Sequence, residues 1–242
     1  MKQVLVSSNF RCIWLCAVAL FLFSSCHKDY IRGNGNVVVE QRSVGNFTDV
    51  EIMGPFEVEL IPNSSPKIEI KAEDNVIGAI ETGISGNSLY IRIRRNVQLR
   101  NHKPLKVYLS NPFFQEVIFK GSGQLTTRDT LQATLFKYQL DGSATADLTL
   151  KVDNLFVTIN GSGSTTLAGS ANTFNSTING SGGVDAWDLP CKFADLTING
   201  SGAFRVVVNE QLTAKIHGSG DIHFKGPATL ISDIKGSGRI IR

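Results

Sequence analysis

The chain has 242 residues, of which 42% are hydrophobic and 19% charged, and its net charge is +3 at pH 7. Lys2 and Arg11 are the only charged residues among the first 25, so the net charge without that segment falls to +1. This near-neutral balance argues against a nucleic-acid-binding protein, which favours a basic surface.

The N-terminal segment has the pattern of a bacterial export signal. An uncharged, mostly apolar run over 12–23 follows the two basic residues, and two serines then precede Cys26. The run is shorter than the roughly 20 apolar residues that cross a membrane, which favours a signal peptide. Phe-Ser-Ser-Cys over 23–26 resembles a lipobox, the signal whose cysteine becomes an acylated N-terminus. We expect 1–25 to be a lipoprotein signal peptide and Cys26 to carry lipid.

These features predict an exported outer membrane lipoprotein, facing either the periplasm or the outside, with the membrane as a partner through its N-terminal lipid. Residues 26–36 are polar and contain glycine, and we interpret them as the lipidated cysteine and a tether. Beyond Cys26 only Cys191 remains, so the mature domain has no internal disulfide. A buried apolar role is the more frequent one for such a cysteine.

Short alternating strands follow from residue 37. Over 37–112 runs such as 56–60, 67–71 and 89–94 alternate apolar with polar residues, and Pro, Asn, Ser and Gly separate them. This is the pattern of strands with one face on a core and one in water. We expect irregular coils over 37–112.

A glycine-serine tag recurs seven times over 113–242. The first glycines of the tags are 21, 19, 19, 20, 18 and 18 residues apart, which indicates one structural unit copied many times. The tags begin at Gly121, Gly142, Gly161, Gly180, Gly200, Gly218 and Gly236.

When the seven repeats are aligned on their first glycine, equivalent positions share the same character, and we call each such set of positions a column. The residue two positions earlier is always large and apolar, and the residue one position earlier is always polar. The apolar column is Phe119, Leu140, Ile159, Ile178, Ile198, Ile216 and Ile234. A strand of period two therefore enters each tag, and a second one leaves it.

The predicted fold is all-β: a single-chain parallel β-solenoid, most simply a right-handed β-helix, with coils of about 19 residues over 37–242 and Gly-Ser-Gly corners. One coil cannot close a core alone, so each buries its inward residues against the coils on either side. Right-handed winding is the default for parallel crossovers. Glycine permits the sharp corner, and we expect the stacked serines to hydrogen-bond the backbone or one another.

Sites of chemistry are sparse. The sequence has no phosphate-binding loop, zinc-protease motif or nucleophile elbow, so we expect no enzyme and no cofactor. His217, Asp221 and His223 flank one corner and are weak candidates for a binding or metal site. Asp147 and Asp185 share an outward column two coils apart, and such a pair is the basis for the alternative of a carbohydrate-active enzyme.

Two further residue groups bear on binding. Trp187 and Tyr138 are candidates to stack outward on sugars, whereas we expect the phenylalanines that precede the corners to lie in the core. Those phenylalanines are Phe136, Phe156, Phe174 and Phe193. A basic cluster is interpreted as the solvent face of a strand and loop, with a patch for an anionic glycan or lipid headgroup as the alternative. Its members are Arg92, Arg94, Arg95, Arg100, His102, Lys103 and Lys106.

Ile-Asn before Gly-Ser-Gly, over 159–163, 178–182 and 198–202, resembles the head GIN domain family of putative autotransporter adhesins, as do the segments 44–52 and 87–91. The resemblance covers about 37–242 and implies a β-helical fold in the cell envelope, with no catalytic residues to transfer. We expect a non-enzymatic adhesion, binding or scaffolding surface for a glycan or protein ligand. A self-associating scaffold, a homo-oligomer formed through the open end at Ile240 and Ile241, is the other alternative.

Overall fold

The structure is a computed structural model, and it describes residues 29–63 and 65–242. The predicted signal peptide and Cys26 lie outside the described residues. Strands account for most of this part of the chain, with one short helix, α1 (Asp74–Ile77). No helix in the described part is long and apolar enough to cross a membrane.

The N-terminal strands are short. They are β1 (Asp29–Arg32), β2 (Val37–Arg42), β3 (Asp49–Met53), β4 (Phe56–Pro62), β5 (Lys67–Glu73), β6 (Ile80–Ser85), β7 (Ser88–Ile93), β8 (Val97–Arg100) and β9 (Leu105–Asn111).

The repeat region contains the long strands. They are β10 (Glu116–Gly121), β11 (Gln124–Thr127), β12 (Leu131–Gly142), β13 (Thr145–Gly161), β14 (Ser164–Gly180), β15 (Gly183–Gly200), β16 (Ala203–Gly218), β17 (Asp221–Lys225), β18 (Thr229–Gly236) and β19 (Arg239–Ile241).

The predicted parallel β-solenoid is confirmed. Strands of successive coils pair in parallel, and the tags stack in register, with Gly161 beside Gly180 and Gly180 beside Gly200. The inward column is fully buried from Phe119 to Ile216. Burying a large apolar side chain contributes about 1.5–3 kcal/mol, so this column stabilises the solenoid, in whose described residues the one cysteine, Cys191, is free.

The corner glycines have the backbone conformation that the tag predicts. The first glycine of each of the seven tags has a positive φ between 132° and 143°, where L side chains are rarely found. The tag serines differ from expectation: all seven are exposed, and no side-chain hydrogen bond of theirs occurs within the described residues. Their backbone N–H groups do the pairing instead, as when Ser181 N donates to Gly161 O at 3.0 Å.

The N-terminal coils are stacked out of sequence order. The coil of β3 and β4 lies between the coil of β7 and β9 and the coil of β10 and β11. Along the chain, the second coil of the stack (β3 and β4) therefore comes first. The end coil (β7 and β9) follows it, and the repeats come after both. Antiparallel β5 and β6 cover the outer edges of β9 and β7, and β2 covers β5. These strands cap this end of the solenoid. The cap pairs backbone groups that would otherwise be exposed at the sheet edge and open to pairing with another chain.

Residues 29–36 are not a free tether, which corrects the interpretation of 26–36. β1 pairs in parallel with β8 as a separate two-stranded sheet, which we call the ribbon. After it, Gly35 N donates to the buried Glu73 carboxylate at 2.5 Å. The Asn36 and Asn34 side chains donate hydrogen bonds to the Asp74 carboxylate. Both bonds lower the pKa of Asp74, and the bond from Asn36 has the larger effect. The segment is therefore fastened to the capped end.

The opposite end is open. β18 pairs with β16 and β19 with β17, and no other described strand covers them. Every residue of β18 is exposed, including Ile234, the last member of the inward column, at 42%.

Candidate functional site

A lateral groove of about 760 Å³ lies on the side of the solenoid. It runs across β12, β13 and β14, at positions 132–135, 151–153 and 170–172. Its floor is a column of small side chains, because Ala133, Val152 and Ala171 lie beside one another in register. Gly169 lies two residues before Ala171 and has a φ of 112°, so the strand bends there and the surface is recessed.

One wall of the groove is the loop between β9 and β10. The buried Asn111 amide donates to the carbonyl oxygens of Phe47 and Phe113 and holds this loop in place. The buried Phe114 ring packs edge-on against Phe47, with 6.2 Å between ring centroids. The neighbouring Phe113 side chain is not buried with it and is 64% exposed. The loop therefore presents one aromatic ring at the groove.

Polar side chains line the rest of the groove. They come from successive coils and are Gln132, Thr134, Lys151, Asp153, Ser170, Asn172 and Lys192. Within 29–63 and 65–242, none of these side chains makes a hydrogen bond or an ion pair with another residue. Their donors and acceptors are free for a ligand, beside an aromatic ring.

One column of polar side chains on the solenoid is bonded along the stack. A ladder runs along the column before the tags: Asn160 donates to Asp141 at 2.7 Å, and Asn179 donates to Asn160 at 2.8 Å. Asn199 donates to Asn179 at 2.8 Å, and His217 Nδ1 lies 3.0 Å from Asn199 Oδ1. These amides bond along the stack, and the free polar groups of the groove differ from them.

The three weak candidates at the sixth corner do not form one site. His217 is the end of the amide ladder. Asp221 accepts two hydrogen bonds from Arg239, at 2.6 and 3.1 Å, which lower the pKa of its carboxyl group. His223 contributes a smaller electrostatic effect to that carboxyl. Among the described residues, no group of three or more His, Cys, Asp or Glu side chains is placed to hold a metal ion.

The carboxylates that suggested an enzyme lie outside the groove. Asp147 and Asp185 are separated by Thr166, as the alignment predicts. Asp147 accepts from Gln124 at 3.3 Å, and Asp185 pairs with Arg205 at 3.2 Å. The groove lining contains a single carboxylate, Asp153.

Cys191 is buried, and burial raises the pKa of its thiol to about 12. It is therefore a packing residue rather than a reactive thiolate.

The aromatic predictions are partly wrong. Phe136 and Phe174 are fully buried as expected, but Phe156 and Phe193 are 41% and 40% exposed. Tyr138 is buried rather than outward, and burial raises its pKa. Trp187 is partly exposed, and the Lys225 ammonium lies 4.3 Å from the centroid of its ring. The exposed ring at the groove, Phe113, was not among the predicted residues.

Solved structures share this architecture. A crystal structure of a putative adhesin from Bacteroides fragilis has a TM-score of 0.81 and 22% identity, covering 87% of this chain and 98% of its own. A putative adhesin from Parabacteroides merdae has a TM-score of 0.70 and 22% identity, with 88% and 100% covered. A putative lipid binding protein from Parabacteroides distasonis has a TM-score of 0.71 and 21% identity, also with 88% and 100% covered. A search of curated proteins found no match.

A family model matches residues 46–228, which is most of the chain and spans both the capped end and the tag repeats. The resemblance found in the Ile-Asn-Gly-Ser-Gly motifs is thereby confirmed. The chain belongs to the family described as putative auto-transporter adhesin, head GIN domain.

Proposed function

We propose that this protein is a lipid-anchored, non-enzymatic envelope protein whose lateral groove binds a glycan chain. The observation that supports the ligand class is the exposed Phe113 ring beside seven polar side chains that have no hydrogen-bond or ion-pair partner among the described residues. A sugar ring offers an apolar face to an aromatic ring and hydroxyl groups to amides, hydroxyls and ammonium groups. The groove crosses several coils, which suits an extended chain.

The lining supports binding rather than hydrolysis. Glycoside hydrolases need two carboxyl groups roughly 5–10 Å apart, one on each side of the scissile bond. The groove lining has one, Asp153. The family description and the names of the solved relatives as adhesins agree with a binding role.

Replacing Phe113 with alanine tests the groove. We expect affinity for a glycan selected on an array by the 27–242 fragment to fall about tenfold, because an aromatic contact of this kind is worth about 1.5 kcal/mol. Phe156→Ala is the matched control, since that ring is also exposed but lies outside the groove. Isothermal titration of both variants measures the difference.

Equal losses for Phe113→Ala and Phe156→Ala would contradict the groove as the site. Cleavage of polysaccharide that persists through further purification would contradict the non-enzymatic role. The fragment is suitable because the hydrophobic core lies between Phe47 and Ala228.

The anchor has its own test. Cys26→Ala should abolish incorporation of labelled palmitate and move the protein from the membrane fraction to the soluble fraction, because acyl chains supply the attachment. Cys191→Ala is the control and should keep both the label and the membrane location. Undiminished labelling of Cys26→Ala would show that Cys26 is not the lipidated residue.

A further inference from the structure

The ribbon has two different faces. Ile31 and Leu99 pack against the core from its inner face. Its outer face carries Tyr30, Arg32 and Arg100, all exposed. The Arg100 guanidinium lies over the Tyr30 ring, 3.8 Å from its centroid. The ribbon therefore presents an aromatic and cationic surface at the capped end of the solenoid.

Ten arginines fall within the described residues, and six of them have a carboxylate or backbone carbonyl partner. The six are Arg42, Arg92, Arg128, Arg205, Arg239 and Arg242. The other four are on the ribbon or in the turn that leads into β8, and none has such a side-chain partner in the described part of the chain. These four are Arg32, Arg94, Arg95 and Arg100.

Two of the four stand side by side. Arg32 is directly opposite Arg100 in the register of the ribbon. Like charges opposite one another destabilise a strand pair. The acidic groups beside the ribbon are Asp29, at its first position, and Glu73 and Asp74. The oxygens of Glu73 already accept from Gly35 N and Lys103 N, and those of Asp74 accept from Asn34 and Asn36. An external anion would relieve the repulsion.

The distance along the chain points to the source of that anion. Cys26 is three residues before Asp29, so an extended chain spans about 10 Å between them. The downstream end of the ribbon is fixed, since Gly35 N and Lys103 N donate to the Glu73 carboxylate at 2.5 and 2.8 Å. If Cys26 is acylated, the ribbon is held about one Debye length from the lipid headgroups.

We propose that the outer face of the ribbon lies on an anionic lipid surface, with lipid phosphates against Arg32 and Arg100. Arginine pairs with phosphate through two parallel hydrogen bonds, and tyrosine is favoured at the headgroup level. The open end of the solenoid then points away from the membrane. The orientation in the cell rests on the proposed anchoring at Cys26, whereas the lipid contact itself is a property of the folded domain.

Vesicle flotation of the unacylated 27–242 fragment tests the contact. We expect it to bind phosphatidylcholine vesicles that contain phosphatidylglycerol but not pure phosphatidylcholine vesicles, and binding should weaken as salt rises. Arg32→Gln with Arg100→Gln should bind about 30-fold more weakly, at about 1 kcal/mol for each arginine. Arg32→Lys with Arg100→Lys keeps the charge and should retain most of the binding.

The matched control is Lys137→Gln with Lys235→Gln, which removes the same charge from exposed positions on β12 and β18 and should bind within about twofold of the unchanged fragment. Equal losses for the two glutamine pairs, no binding to anionic vesicles, or binding only to a soluble polyanion such as heparin would overturn the proposal. Because the fragment lacks Cys26, the flotation result does not depend on whether Cys26 is acylated. The acylation test likewise does not depend on whether the ribbon binds lipid.

Discussion

Gly180→Ala should destabilise the domain by about 3 kcal/mol, because two costs combine at one corner. Gly180 has a φ of 133°, a conformation that costs a residue with a Cβ on the order of 1–3 kcal/mol. A Cβ at this position would also overlap the carbonyl oxygen of Gly161 in the neighbouring coil. The backbone must shift to avoid this overlap, which weakens the pairing between the two coils. Urea unfolding followed by circular dichroism measures the decrease in the free energy of unfolding.

Gly183→Ala is the matched control for this substitution. A Cβ at Gly183 would meet only the Ala203 carbonyl oxygen, at 3.8 Å, and its φ is ordinary. We expect a gain of about 0.5 kcal/mol from the less flexible unfolded chain. A loss at Gly183 as large as that at Gly180 would show that the cost does not come from the positive φ and the close carbonyl oxygen. No loss at Gly180 would show that the corner tolerates a side chain and that the repeated glycine has another cause.

Ile198→Ala should cost about 2–5 kcal/mol, the usual range for truncating a fully buried side chain. Ile198 is fully buried in the inward column. Ile234→Ala makes the same change at the same column position, but Ile234 is 42% exposed at the open end. We expect that loss to stay near 1 kcal/mol, because little apolar surface returns to water. The same urea series provides both values.

Equal and large losses at Ile198 and Ile234 would mean that the open end is covered in solution. That outcome would support the homo-oligomer predicted from the sequence, and sedimentation at increasing protein concentration would then separate monomer from dimer.

The repeat region could be predicted closely from the sequence because each coil is a copy of the last. Fixed spacing aligns the tags, and alignment identifies the inward column and its register. The phenylalanines could also have been placed correctly. Phe136 and Phe174 stand six residues before their glycine, an even offset like that of the buried isoleucines, whereas Phe156 and Phe193 stand five and seven before theirs. Odd offsets point outward in a strand.

The capped end could not be predicted in the same way. No repeat relates β3 and β4 to β7 and β9, so nothing in the sequence indicates that the later coil lies outside the earlier one. The fastening of 33–36 depends on Glu73 and Asp74, about 40 residues further along the chain. Polar and glycine residues suit a tether and a docked segment equally well.

The groove was missed for a related reason. Its concavity comes from Ala133, Val152 and Ala171 lying side by side in three coils, and in the sequence each is an ordinary strand residue. Phe113 lies in an irregular loop, where no strand period predicts which side chain is exposed. We find no sequence signal that separates these groove residues from other outward-facing strand residues.

The most direct test of glycan binding in the groove is an amide chemical-shift map of the 27–242 fragment, titrated with the tightest-binding oligosaccharide from the array. We predict shifts concentrated at Phe113, Gln132, Lys151 and Asn172, with the tag serines unchanged. Shifts confined to the exposed serine column, or spread evenly over all coils, would contradict the assignment of binding to the groove.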